Sequence, residues 1–67
     1  MRTPRAAATI GERIKSRRER LRMSREALAI ELDVALSTVR NWEIGLSEPR
    51  EAYLEAVERW LGKENAK

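Results

Sequence analysis

Apolar residues recur along this chain at spacings of three and four, and no stretch alternates apolar and polar with period two. That pattern commits the 67 residues to helices and leaves no candidate strand. Size sharpens the constraint. A domain this short hides only about 60% of the surface its unfolded chain exposes, so each apolar stripe must meet another. The sequence also contains no cysteine and no histidine. Disulfide staples, thiolate zinc sites, cysteine nucleophiles and the usual general base are excluded together. A secreted domain of this size normally needs such staples, so a cytoplasmic setting is expected. No apolar run approaches the roughly 18 residues of a membrane span, and the N-terminus has no apolar region suited to a signal peptide.

Four helices account for the pattern. Residues 1–8 read as a basic arm with nothing to pack, and Thr9-Ile10-Gly11-Glu12 fits a capping box that starts a first helix over 9–22. Ser24 is the next N-cap. Leu28, Ala29 and Leu32 then share one face of a short second helix, from Arg25 to Leu32. Val39 and Trp42 define a third, from Val34 to Glu43, before a loop marked by Gly45, Ser47 and Pro49. Tyr53, Leu54, Val57, Trp60 and Leu61 give a strongly amphipathic fourth helix from Pro49 to Leu61. Gly62 is suited to stop it, and residues 63–67 form a polar tail. The folded unit is expected over 9–62.

Charge is distributed unevenly. The net charge is +3, but residues 1–25 hold nine basic side chains against two acidic ones, and arginine supplies 11 of the 14 basic residues. A polyanion is the natural partner of such a surface, although a merely solvated basic helix face gives the same count.

Two short helices joined by about three residues, inside a basic all-α domain, form the helix-turn-helix pattern. Its requirements can be checked singly. Ala29 supplies the small residue that lets the two helices approach. Asp33 tolerates the positive φ of the turn. Val34 plugs the turn into the core, and Val39 and Trp42 bury the inner edge of the third helix. The outer face then carries Leu36, Ser37, Arg40, Asn41 and Ile44. The run from Met23 to Gly45, with Pro49 beyond it, resembles the Xre type of the Cro/repressor, lambda-repressor-like helix-turn-helix family. Ser37-Thr38-Val39-Arg40-Asn41-Trp42-Glu43-Ile44-Gly45 is the most telling part. The resemblance covers about residues 9–62 and implies a compact four-helix domain.

Several positions depart from that family's pattern. Asp33 stands where the turn usually has glycine, and Ala35 where a serine or threonine would cap the third helix. Arg25 stands where glutamine is frequent, and Glu51 where an apolar residue often opens the last helix. Many members use a fifth helix to dimerise, and no fifth helix is read here.

Arginine bonds bidentately to guanine and asparagine to adenine, so Arg40 and Asn41 are candidate base readers, with Ser37 and Leu36 beside them. Ser24 and Arg25 lie where free helix N–H groups favour a phosphate, and Ser47 and Arg50 flank the approach to the last helix. Ser24 can cap its helix and hold a phosphate at once, whereas ordinary turn chemistry explains Ser47 and Arg50 equally well. Arg2 and Arg5 either follow a minor groove or belong to an unordered terminus. The resemblance pairs Arg18 with Glu43 in a partly buried structural ion pair. Trp42 reads as core. Leu54, Val57 and Leu61 suffice for the inward stripe of the fourth helix. Tyr53 and Trp60 are thus left as a candidate dimer flank, unless Trp60 folds back over the first helix.

No enzymatic constellation, metal site or cofactor site is readable. The expected function is sequence-specific binding of double-stranded DNA by a homodimeric transcriptional regulator, a repressor acting at a palindromic operator. The competing expectation is a DNA-binding antitoxin or interaction subunit that pairs with a second protein, because Ile30, Ile44 and Leu46 are more apolar than exposed positions need. No membrane partner is expected.

Overall fold

The computed structural model describes residues 9–62, and every structural statement below concerns those residues. They form four helices and no strand: α1 (Ile10–Arg20), α2 (Arg25–Leu32), α3 (Leu36–Glu43) and α4 (Glu51–Gly62).

Local chemistry sets where the helices begin. Thr9 is extended (φ −71°, ψ 161°), and its hydroxyl accepts the Glu12 N–H at 3.1 Å. The Glu12 carboxylate accepts the Thr9 N–H in return, also at 3.1 Å, completing the capping box. Ser24 caps α2 through the Ala27 N–H at 3.0 Å. Ala35 occupies the same position before α3 and makes no side-chain cap.

Three of the helices stop in one way, by a residue in the left-handed region followed by a backward pair of backbone bonds. Arg22 (φ 59°) ends α1, with the Met23 N–H reaching the Arg18 carbonyl at 3.0 Å. Asp33 (φ 61°) ends α2, with the Val34 N–H reaching Ala29 at 2.9 Å. Gly45 (φ 84°) ends α3, with the Leu46 N–H reaching Asn41 at 2.9 Å. Glycine adopts this region without strain, aspartate tolerates it, and arginine is an unfavourable occupant.

Three sequence-derived boundaries are thereby corrected. The first helix does not run to 22, because the left-handed backbone at Arg22 stops it two residues earlier. The third begins at Leu36, since the Val34 N–H is used to close α2. The fourth begins at Glu51 and includes Gly62.

The core gathers residues from all four helices: Ile14, Leu28, Ala29, Val39, Trp42, Val57, Trp60 and Leu61, with Ile10, Met23, Leu32 and Val34 packed against it. Ile14, Leu28, Val39 and Val57 are fully buried. Each contributes about 1.5–3 kcal/mol relative to exposure. Helix α1 also approaches α3 unusually closely. A Cβ placed on Gly11 would overlap the Trp42 carbonyl oxygen and lie 2.9 Å from its carbonyl carbon, so only glycine fits that crossing.

Trp60 is corrected here. It does not sit on an open flank: its side chain is only 5% exposed, it belongs to the core, and the Arg17 guanidinium stacks 5.0 Å from its ring centre. The indole seals the gap beside α1, and Tyr53, 43% exposed, is the half of the expected pair that reaches solvent.

Candidate nucleic-acid interface

The outward face of α3 is set by what the inward face buries. Val39 and Trp42 turn into the core, which leaves Leu36, Ser37 and Arg40 exposed and Asn41 half-buried along one side. Leu36 keeps 44% of its surface in water. Beside this face runs a groove of about 420 Å³, lined by Arg18, Arg25, Glu26, Leu36 and Arg40. The groove joins the first turn of α2 to the outer side of α3.

A buried carboxylate underlies it. The side chain of Glu43 has no exposed surface, yet it stays charged because two guanidiniums reach it. Arg18 donates from Nε to Oε2 at 2.7 Å and from Nη2 to Oε1 at 3.1 Å. Arg25 donates from Nε to Oε1 at 2.9 Å. Arg18 also donates from Nη1 to the Met23 carbonyl at 2.8 Å, tying the turn between α1 and α2 to the same cluster. Burial alone pushes the Glu43 carboxyl up. The hydrogen bonds and charge of Arg18 and Arg25 outweigh that and hold it below the ordinary carboxylate value. The bond to Glu43 raises Arg18 in turn, against the opposing effect of its own burial.

A second groove, of about 290 Å³, opens where α3 meets the start of α4. Thr38, Trp42, Ser47, Glu48, Arg50 and Tyr53 line it. The Tyr53 ring lies 6.1 Å from that of Trp42 at a tilt of 54°. Ser47 is held by its N–H to the Asn41 carbonyl at 3.3 Å, so the loop is fastened to the end of α3.

The candidate residues therefore fall into separate groups. Arg25, Leu36 and Arg40 line the first groove, with Ser37 and Asn41 on the α3 face beside it and Ser24 capping the helix that Arg25 opens; Ser47, Arg50 and Tyr53 gather around the second. Trp60 joins neither, and Arg2 and Arg5 lie outside the described residues. Reading the sequence missed the Arg25–Glu43 bond and the place of Thr38 and Glu26 in the groove walls. No pattern within one helix could have revealed these, because each joins different helices. Among the described residues, no three metal-ligating side chains converge and no helix is long and apolar enough to cross a membrane.

A helix-turn-helix family model matches residues 14–64, three quarters of the chain. The chain belongs to this family. It is a DNA-binding helix-turn-helix domain of the Cro/repressor, Xre-like type, and that family is one of DNA-binding domains rather than enzymes. No curated protein and no solved structure was found to match the chain.

Proposed function

We propose that this helix-turn-helix protein is a sequence-specific regulator of transcription that represses by occupying a palindromic operator as a dimer. The observation that carries the reading is the exposed face of α3. A leucine, a serine and an arginine stand side by side in water, next to a groove walled by further arginines. Arg40 and Asn41 would read base edges, Ser37 would add a hydrogen bond and Leu36 would press on a thymine methyl. Ser24, Arg25, Ser47 and Arg50 would hold phosphates on either side and fix the register. One recognition helix contacts only a few base pairs, too few to single out a site in a genome, so two copies would bind half-sites about one helical turn apart. The working location is then the cytoplasm, on the chromosome or another DNA.

Selection from random duplex DNA tests this. A recovered site with two inverted halves about 10 base pairs apart is the expected outcome. Arg40→Ala should weaken binding to that site by roughly 1–3 kcal/mol and relax the preference at one base pair. Recovery of unrelated sequences, or an unchanged preference in Arg40→Ala, overturns the reading.

A second reading has an observation of its own. Ile30, Leu46 and Ile44 are 81%, 70% and 53% exposed, more than aliphatic side chains need. Their exposure favours a DNA-binding antitoxin or interaction subunit whose partner covers them. Co-purification of a second, stoichiometric chain encoded beside this one supports that reading.

A further inference from the structure

Glu43 is the buried carboxylate of the described residues, and arginines of two different helices share it: Arg18 bonds both oxygens, and Arg25 also bonds Oε1. Those arginines are not equivalent. The Arg18 side chain is 11% exposed, and all three of its guanidinium nitrogens bond to the protein. The Arg25 side chain is 36% exposed, and its bond to Glu43 engages Nε. Arg25 is therefore held through Nε, while its partly exposed side chain lines the first groove. Arg18, Arg40 and Glu26 line the same groove. With Glu26 and Glu43 both counted, that lining still carries a positive excess.

Such a grip has a physical consequence. A free arginine loses its rotamer freedom when it binds a ligand, whereas one already held by Nε has lost it on folding. A planar guanidinium fixed along one edge presents its remaining donors in a defined plane, which suits a tetrahedral phosphate oxygen pair. Glu43 is also the last residue of α3. One carboxylate thus fixes the spacing between Arg25 and the exposed face that carries Leu36, Ser37 and Arg40.

We propose that Glu43 is a positioning residue for DNA binding: it holds Arg25 by Nε, so that the guanidinium is already set to clamp one backbone phosphate. This rests on the DNA-binding reading above. Arg25 makes the contact, and Glu43 acts through it.

The test is equilibrium binding of the full chain to a selected duplex and to an unrelated one, across a range of salt concentrations. The variants are Arg25→Ala, Arg25→Lys, Glu43→Gln and the double Arg25→Ala/Glu43→Gln, with circular dichroism checking that each is folded. Arg25→Ala should weaken binding to both duplexes about tenfold and lower the salt slope by about 0.9. Arg25→Lys keeps the charge but has no Nε edge to grip, and should bind roughly fivefold more weakly. Glu43→Gln should weaken binding while Arg25 is present and add nothing once Arg25 is alanine.

An Arg25→Lys variant that binds like the wild type overturns the proposal. So does a Glu43→Gln loss of equal size in both backgrounds. If Glu43→Gln fails to fold because Arg18 loses its partner, the two single Arg25 variants decide. A wild type that binds no duplex sinks the DNA-binding reading and this inference together. A wild type that binds well, with Arg25 variants of unchanged affinity and slope, removes the Arg25 phosphate contact and the positioning role together and leaves the DNA-binding reading standing.

Discussion

The two ends of α3 are built in opposite ways. At its C-terminal end, Trp42 and Glu43 are buried, α1 presses against the Trp42 backbone through Gly11, and two arginines hold the final carboxylate. At its N-terminal end, Ala35 provides no cap and Leu36 and Ser37 stand in water. Within eight residues the helix changes from a piece of the core to a piece of the surface. Burial and exposure are thereby segregated along one element. Substitutions at the far end should act first on folding, with Glu43 reaching binding only through Arg25, whereas substitutions of Leu36 and Ser37 should leave the fold largely intact.

The most damaging way to break this contrast is Glu43→Ala. Removing one member of a buried charge cluster leaves Arg18 buried without its carboxylate, an expected loss of about 3–5 kcal/mol. That is comparable to the whole stability of a small domain, and denaturant melts should find the variant largely unfolded. Replacing Arg18 and Glu43 together by apolar residues should recover much of the loss, and purely additive losses would count against the pairing.

Gly11→Ala comes next, at about 3 kcal/mol, because the added methyl meets backbone that cannot turn aside. Thermal melts check it. A variant as stable as the wild type would mean that the α1–α3 crossing is looser than described.

Acid should erode the anchored end in a defined window. The folded Glu43 carboxyl lies below its ordinary value, so its contribution is complete above the unfolded value of about 4.3 and is lost as pH falls through the folded value. Comparing melts of the wild type and Glu43→Gln from pH 7 to pH 3 isolates this term. The gap between them should hold steady down to about pH 5 and close below that.

The smallest effect sharpens the bare end. Ala35→Ser supplies the missing cap and should add about 1 kcal/mol, read as a rise in Tm of about 4–8 °C. An unchanged Tm would show that the first turn of α3 already satisfies its N–H groups in another way.

These contrasts also explain what could be read in advance. The capping box at Thr9 and Glu12, the Ser24 cap and the tolerance of Asp33 for a left-handed backbone are local, each decided within a turn of chain. All three stand in the structure. The four-helix architecture followed from apolar spacing for the same reason. Arg22 in the left-handed region was not legible, since a basic residue there looks like any helix-ending charge. Gly11 was read as part of a cap, and its tight crossing with Trp42 depends on a helix 31 residues away. For Trp60 the apolar stripe left two places open, and the structure takes the one over α1, which periodicity within one helix could not choose because it depends on Arg17 of another. The site divides in the same manner. The outer face of α3 follows from periodicity, the pairing of Arg18 with Glu43 came from family resemblance, and the link from Glu43 to Arg25 required three dimensions.

The Gly11 crossing has a mechanical consequence. An eight-residue helix is about 12 Å long. The crossing fixes where α3 sits at Trp42, and Leu36 lies six residues, about 9 Å, along the axis from that point. A helix set about 5° differently there would carry Leu36 by roughly 0.8 Å, enough to turn a well-made hydrogen bond into a poor one. The direction of the exposed face is therefore set in part by a residue that has no side chain and packs at the opposite end of the helix.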